Sequence, residues 1–163
     1  IEVRGNEVYL NGELIATIIS GFIGDAPGII EPRTGWVYTD SCPFGEASDY
    51  TRELDPKFHN ITFEKAIMEL GKEVILSVLI AAVDTFKTDP TGASLGVNVF
   101  LAVADDIYNW AHDYPQRTQV YAIEHIYGHK NGMGYIHKNK FIFYSDRDCT
   151  DKISEAIAFS WWG

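Results

Sequence analysis

The amino-acid sequence predicts one compact α+β domain over residues 1–163. Mainly antiparallel or mixed sheets, from N- and C-terminal hairpins, are expected to pack on a long central helix and a C-terminal helix. Three observations carry that expectation. Asn11-Gly12 and Asn131-Gly132 separate β-type runs near the two ends of the chain, and Asn-Gly is the strongest short hairpin signal. Apolar residues recur every three and four positions across residues 62–87, which is a helical period. A chain of 163 residues that is 46% apolar buries a core without a metal or disulfide staple.

The elements follow in order. Ile1–Arg4, Glu7–Leu10 and Glu13–Ile19 are short β-type runs, and Val8–Leu10 is expected to pair with Leu14–Ile19 across Asn11-Gly12. Gly21, Gly24, Pro27 and Gly28 then break any regular element. Trp36–Thr39 reads as a short strand, and residues 40–59 as a loop containing Pro43, Gly45 and Pro56. The central helix is placed at residues 62–87, with Asn60 or Thr62 as its cap and Glu64 in its first turn. Phe63, Ile67, Leu70, Val74 and Val78 supply its stripe, Gly71 weakens it, and Asp89-Pro90 ends it. Val97–Ala104 is a continuous apolar run of strand length and reads as an interior strand, followed by a short helix to about His112 that Pro115 stops.

Thr118–Tyr127, Gly134–His137 and Lys140–Tyr144 read as strands, turning at residues 130–132 and at Lys138-Asn139. Thr150–Trp162 reads as the closing helix, because Ile153, Ile157 and Trp161 stand four residues apart. No internal repeat or linker interrupts the chain, so a single domain is the economical organisation.

Charge bounds the function. Asp and Glu number 23 against 13 Lys and Arg, a net charge of −10. Such a surface repels phosphate backbones and anionic lipid, so direct nucleic-acid and membrane-surface binding are disfavoured. It serves either solubility or the steering of a basic protein partner. The longest strongly apolar run, Val74–Val83, is far shorter than a bilayer span needs. Two cysteines, Cys42 and Cys149, make no disulfide framework. A reducing cytoplasm, of a bacterial or virus-infected cell, is the simplest setting. The sequence starts at Ile1 with no signal peptide in view, and without an initiating Met that absence weighs little.

Candidate chemistry is sparse. His125 and His129 stand four apart and share a face on either a helix or a strand, so they are candidate ligands of a divalent metal, with His112 and His137 as further donors. The metalloprotease pattern needs Glu after the first His, and Ile126 is there. The plainer account is an aromatic sheet face whose histidines sit near a turn. No other cofactor is called for. Cys42, in Thr39-Asp-Ser-Cys-Pro-Phe-Gly45, is a nucleophile only if a histidine lies beside it. Asp146, Asp148 and Asp151 are either a carboxylate cluster or, more plainly, acidic residues opening a helix. Gly21–Gly28 lacks the Lys and Ser/Thr of a phosphate loop.

The function expected from these residues is binding of a basic protein partner, in the manner of an inhibitor, an immunity protein or a phage antagonist. The acidic loop carrying Asp40, Glu46, Asp49, Glu53 and Asp55 is its candidate surface. The alternatives are a hydrolase, metal-dependent through His125 and His129 or thiol-based through Cys42, and a structural or assembly subunit. Trp161-Trp162 at the end of the chain would suit a homo-oligomer contact.

Overall fold

The structure, a computed structural model, describes residues 2–22, 36–39, 41–82, 93–132 and 136–162; at residues 22, 36–39, 93–98 and 161–162 only the backbone is described. Its strands are β1 (Glu2–Arg4), β2 (Glu7–Leu10), β3 (Glu13–Phe22), β4 (Trp36–Thr39), β5 (Arg52–Glu53), β6 (Lys57–Phe63), β7 (Gln119–Gly128), β8 (Ile136–Tyr144) and β9 (Lys152–Trp162). The helices are α1 (Ile67–Leu70), α2 (Lys72–Ala82) and α3 (Ala93–Asp113). All nine strands join one sheet in the order β1-β2-β3-β6-β7-β8-β9-β4, with β5 pairing to β7 beyond the end of β6. Every pairing is antiparallel.

The expected architecture is therefore corrected: one large antiparallel sheet dominates, and among the described residues no long central helix at 62–87 carries hairpins. Three segments account for the difference. The start of the proposed 62–87 helix is the end of β6, where His59, Ile61 and Phe63 alternate inward. Gly71, at φ 82°, then separates a single turn, α1, from α2. Helix α2 has 11 residues, and residues 83–87 lie outside the described set.

The proposed strand at 97–104 belongs to α3, a helix of 21 residues. Val99, Phe100, Val103, Ala104, Ile107 and Ala111 are buried at helical spacing straight through Asp105-Asp106, where the sequence had been divided. The proposed closing helix is β9. Residues four apart share a face on a strand as well as on a helix, so the spacing of Ile153 and Ile157 could not separate the two. Asp146, Asp148 and Asp151 accordingly open no helix. They lie at the β8–β9 turn, where the Asp146 carboxylate accepts the backbone N–H groups of Thr150 and Asp151. Those bonds, the Thr150 hydroxyl first, hold its acidity below the ordinary carboxylate value.

The sheet has two unlike faces. The inner face carries Ala16, Ile18, Ile61, Phe63, Val120, Ala122, Phe141, Phe143 and Ala158 against α2 and α3. The Phe100 ring of α3 stands edge-on to Phe141 at 5.2 Å and to Phe143 at 6.0 Å. The outer face is covered at one end by residues 41–51, where Tyr50 packs on Phe159 of β9 and Lys138 of β8 donates to the Ala47 carbonyl. Elsewhere it leaves Ile19 and Ile157 exposed. The β2–β3 hairpin turns at Asn11-Gly12, with φ of 51° and 82°, as Asn-Gly favours.

Candidate functional site

Among the described residues, six polar or charged residues of the inner face are buried: His59, Glu124, His137, Asn139, Ser154 and Ser160. The β register explains how four of them connect with Ser20. Ser20 of β3 lies directly opposite His59 of β6. His59 faces Ala122, which places Glu124 on its diagonal. Glu124 faces Phe141, which places Asn139 on its diagonal, and Asn139 faces Ala158, which places Ser160 on its own. Diagonal partners on one sheet face stand about 7–8 Å apart at Cα, within reach of long side chains. The small Ala122 and Ala158 leave room for that reach.

The result is one hydrogen-bonded chain across five strands. The Ser20 hydroxyl is 2.7 Å from His59 Nδ1, and His59 Nε2 is 2.9 Å from Glu124 Oε1. Asn139 Nδ2 donates to Glu124 Oε2 at 2.6 Å, and the Ser160 hydroxyl donates to Asn139 Oδ1 at 2.8 Å. Donors converge on the Glu124 carboxylate from both sides. A carboxylate with no solvent exposure needs that arrangement to remain an acceptor. With His59 Nε2–H directed at Glu124, a neutral imidazole leaves Nδ1 as the acceptor for the Ser20 hydroxyl. Ser20 alone of the five reaches solvent; the other four are 0–3% exposed.

A second histidine is buried on the outer side. His129 follows β7 and is 2% exposed. The rings of Phe44 and Tyr50 stand edge-on to it at 5.4 and 5.3 Å, and its Nδ1 accepts the Asn131 N–H. Residues 41–55 form a strap, of which 41–51 lie over this site. Tyr50, 1% exposed, packs on His129 and Phe159 and donates its hydroxyl to the Phe44 carbonyl. Burial, then the neighbouring Cys42 thiol, push the phenol up to about 12. Asp49 accepts the Glu46 N–H and pairs with the Lys130 ammonium at 3.0 Å, which together hold its carboxyl below the ordinary range.

Gly45 sits at φ 66°, which favours glycine, and a Cβ there would stand 2.8 Å from the Asp49 carboxylate and displace it.

The residues singled out from sequence fall as follows. Asp49 is engaged inside the strap, whereas Glu46, Glu53 and Asp55 are exposed along it. Asp40 lies outside the described residues. Cys42 donates its thiol to the carbonyls of Phe44 and Gly45. His125 projects from the outer face of β7, His112 ends α3 against Tyr108, and His137 lies on the inner face. Among the described residues no group of three or more His, Cys, Asp or Glu side chains is placed to hold a metal ion.

The Ser20–His59–Glu124–Asn139–Ser160 chain escaped sequence reasoning. Its members are 39, 65, 15 and 21 residues apart along it, so the strand register was the missing signal. Among the described residues no helix is long and apolar enough to cross a membrane.

Comparison with known proteins adds no assignment: no family model, no curated protein and no solved structure matches this chain.

Proposed function

We propose that the chain acts by binding a basic protein partner through the strap at residues 41–55. The observation that carries this is Phe44. The residue is 47% exposed, yet the segment bearing it is fixed by Tyr50, His129 and the Asp49–Lys130 pair. Aromatic anchors on preorganised segments are what interface hot spots use, because little ordering entropy remains to be lost on binding. Exposed Glu46, Glu53 and Asp55 accompany Phe44 along the strap, and a net charge of −10 favours a basic partner. Charge of this kind speeds encounter more than it tightens the complex.

The test compares the wild type with Glu46→Lys/Glu53→Lys/Asp55→Lys and with Phe44→Ala, each immobilised and exposed to basic proteins in a biosensor. The expected result is a partner whose association slows about tenfold or more for the triple reversal and weakens steeply with salt. Its dissociation should quicken for Phe44→Ala. Binding indifferent to all three perturbations sinks the proposal.

A further inference from the structure

The buried polar chain is unlike a device for stability. An ionic or polar pair in a sheet interior holds strands together no better than apolar side chains of the same volume, and desolvation makes it costly. This one also runs outward and ends on a hydroxyl. We propose that Ser20, His59 and Glu124 form a nucleophile–base–carboxylate relay that hydrolyses short-chain acyl esters at the solvent-facing end of the chain.

The geometry meets the requirements of an activated nucleophile. A hydroxyl must lie within about 2.6–3.2 Å of a base, which a third group orients. Ser20 to His59 Nδ1 is 2.7 Å, and His59 Nε2 to Glu124 is 2.9 Å. The two ring nitrogens have distinct roles: the bond to Glu124 places the N–H on Nε2, which leaves the Nδ1 lone pair for the Ser20 hydroxyl. Asn139 fixes the far carboxylate oxygen and Ser160 fixes Asn139, so both act as positioning residues.

The steps balance. Ser20 Oγ bonds to the ester carbonyl carbon as its proton passes to His59 Nδ1. The acyl C–O bond breaks, and His59 returns that proton to the departing alcohol. Water, deprotonated by His59 Nδ1, then attacks the acyl-Ser20 carbonyl; the bond to Oγ breaks, Oγ regains its proton from His59, and a carboxylic acid leaves. Glu124 accepts the His59 Nε2–H throughout and stabilises the imidazolium formed at each stage.

Substrate size follows from what lies behind His59. The space there is lined by Ile61, Leu79, Ala82, Phe100 and Phe141, and its volume of about 10 Å³ admits at most a single water. No acyl chain enters it, which confines the acyl group to the side where Ser20 meets solvent and favours a short one. Partner binding at the strap uses other residues, so either proposal can fail without the other.

The experiment treats the full chain with a fluorophosphonate and locates the adduct by peptide mass, alongside turnover of p-nitrophenyl acetate and p-nitrophenyl octanoate. Expected are one adduct on Ser20, faster turnover of acetate, and loss of both signals in Ser20→Ala. His59→Gln should slow turnover about 10²- to 10⁴-fold, the usual contribution of a general base. Glu124→Gln should lower the rate and change its pH profile, which a merely structural role would not do. A folded wild type with no adduct on Ser20, or labelling unchanged in a folded His59→Gln, overturns the relay. Faster turnover of octanoate overturns the short-chain assignment. If the variants unfold, labelling and turnover of the wild type alone decide.

Discussion

His59 and His129 are buried to the same degree, 3% and 2% exposed, yet opposite faces of the sheet accommodate them by opposite means. On the inner face, His59 is joined to Ser20 and Glu124 and through them to strands on both sides. On the outer face, His129 is enclosed by the rings of Phe44 and Tyr50 and takes one backbone N–H. The first is fixed by side-chain hydrogen bonds on both ring nitrogens, whereas the second is held chiefly by packing, with the Asp49 carboxylate 4.0 Å from its Nε2. The two sites should therefore respond differently when a neighbour is removed.

The largest effect is expected on the inner face. Glu124→Leu leaves the His59 Nε2–H and the Asn139 amide buried without their acceptor. Breaking one side of such a buried pair costs about 3–5 kcal/mol. Glu124→Gln keeps a carbonyl acceptor and should cost about 1–3 kcal/mol, the range for one buried group left unsatisfied. Urea denaturation of both variants measures the gap. Equal midpoints for Leu and Gln would mean that the carboxylate position is held by packing alone.

At the outer site the loss should be one of packing. Tyr50→Ala removes a ring in contact with His129 and Phe159 and is expected to cost about 3 kcal/mol, the lower end for a buried aromatic. Tyr50→Phe forfeits the bond to the Phe44 carbonyl, about 1 kcal/mol. The contrast with Glu124 sharpens if these two differ in the stated order. A Phe variant as weak as Ala would show that the strap depends on its hydroxyl and not on its rings.

Legibility in the sequence divided along the same line. The β2–β3 hairpin was readable because Asn11-Gly12 encodes positive φ locally. Strand β9 was not, because Ile153 and Ile157 repeat at a spacing common to both regular structures. Lys138-Asn139 read as a turn because both residues are polar. In fact β8 runs straight through them, and Asn139 is buried as the bridge from Glu124 to Ser160. Polar residues inside a sheet contradict the usual pattern, and only the diagonal register gives them a reason. The acidic loop was visible as composition, but nothing local to Asp49 announced that it pairs with Lys130, 81 positions further on.

That ion pair carries the smallest and most local effect. Asp49 binds its proton less tightly in the folded strap than in the unfolded chain, because the Glu46 N–H and then the Lys130 ammonium stabilise its carboxylate. Its contribution is thus complete above the ordinary value of 3.8 and is lost as pH falls through the lowered one. Hydrogen exchange follows this at the Lys130 amide, which donates to the Asp49 carbonyl, and at the Glu46 amide. In the wild type, protection factors at both amides should drop below pH 3.8 while amides of β7 hold theirs. Asp49→Asn should show reduced protection at neutral pH and no such step, since Asn retains an acceptor for Glu46 but not the charge facing Lys130. Identical pH profiles for the two proteins would leave the aromatic rings alone as the fastening of the strap, and His129 with no electrostatic tie to solvent.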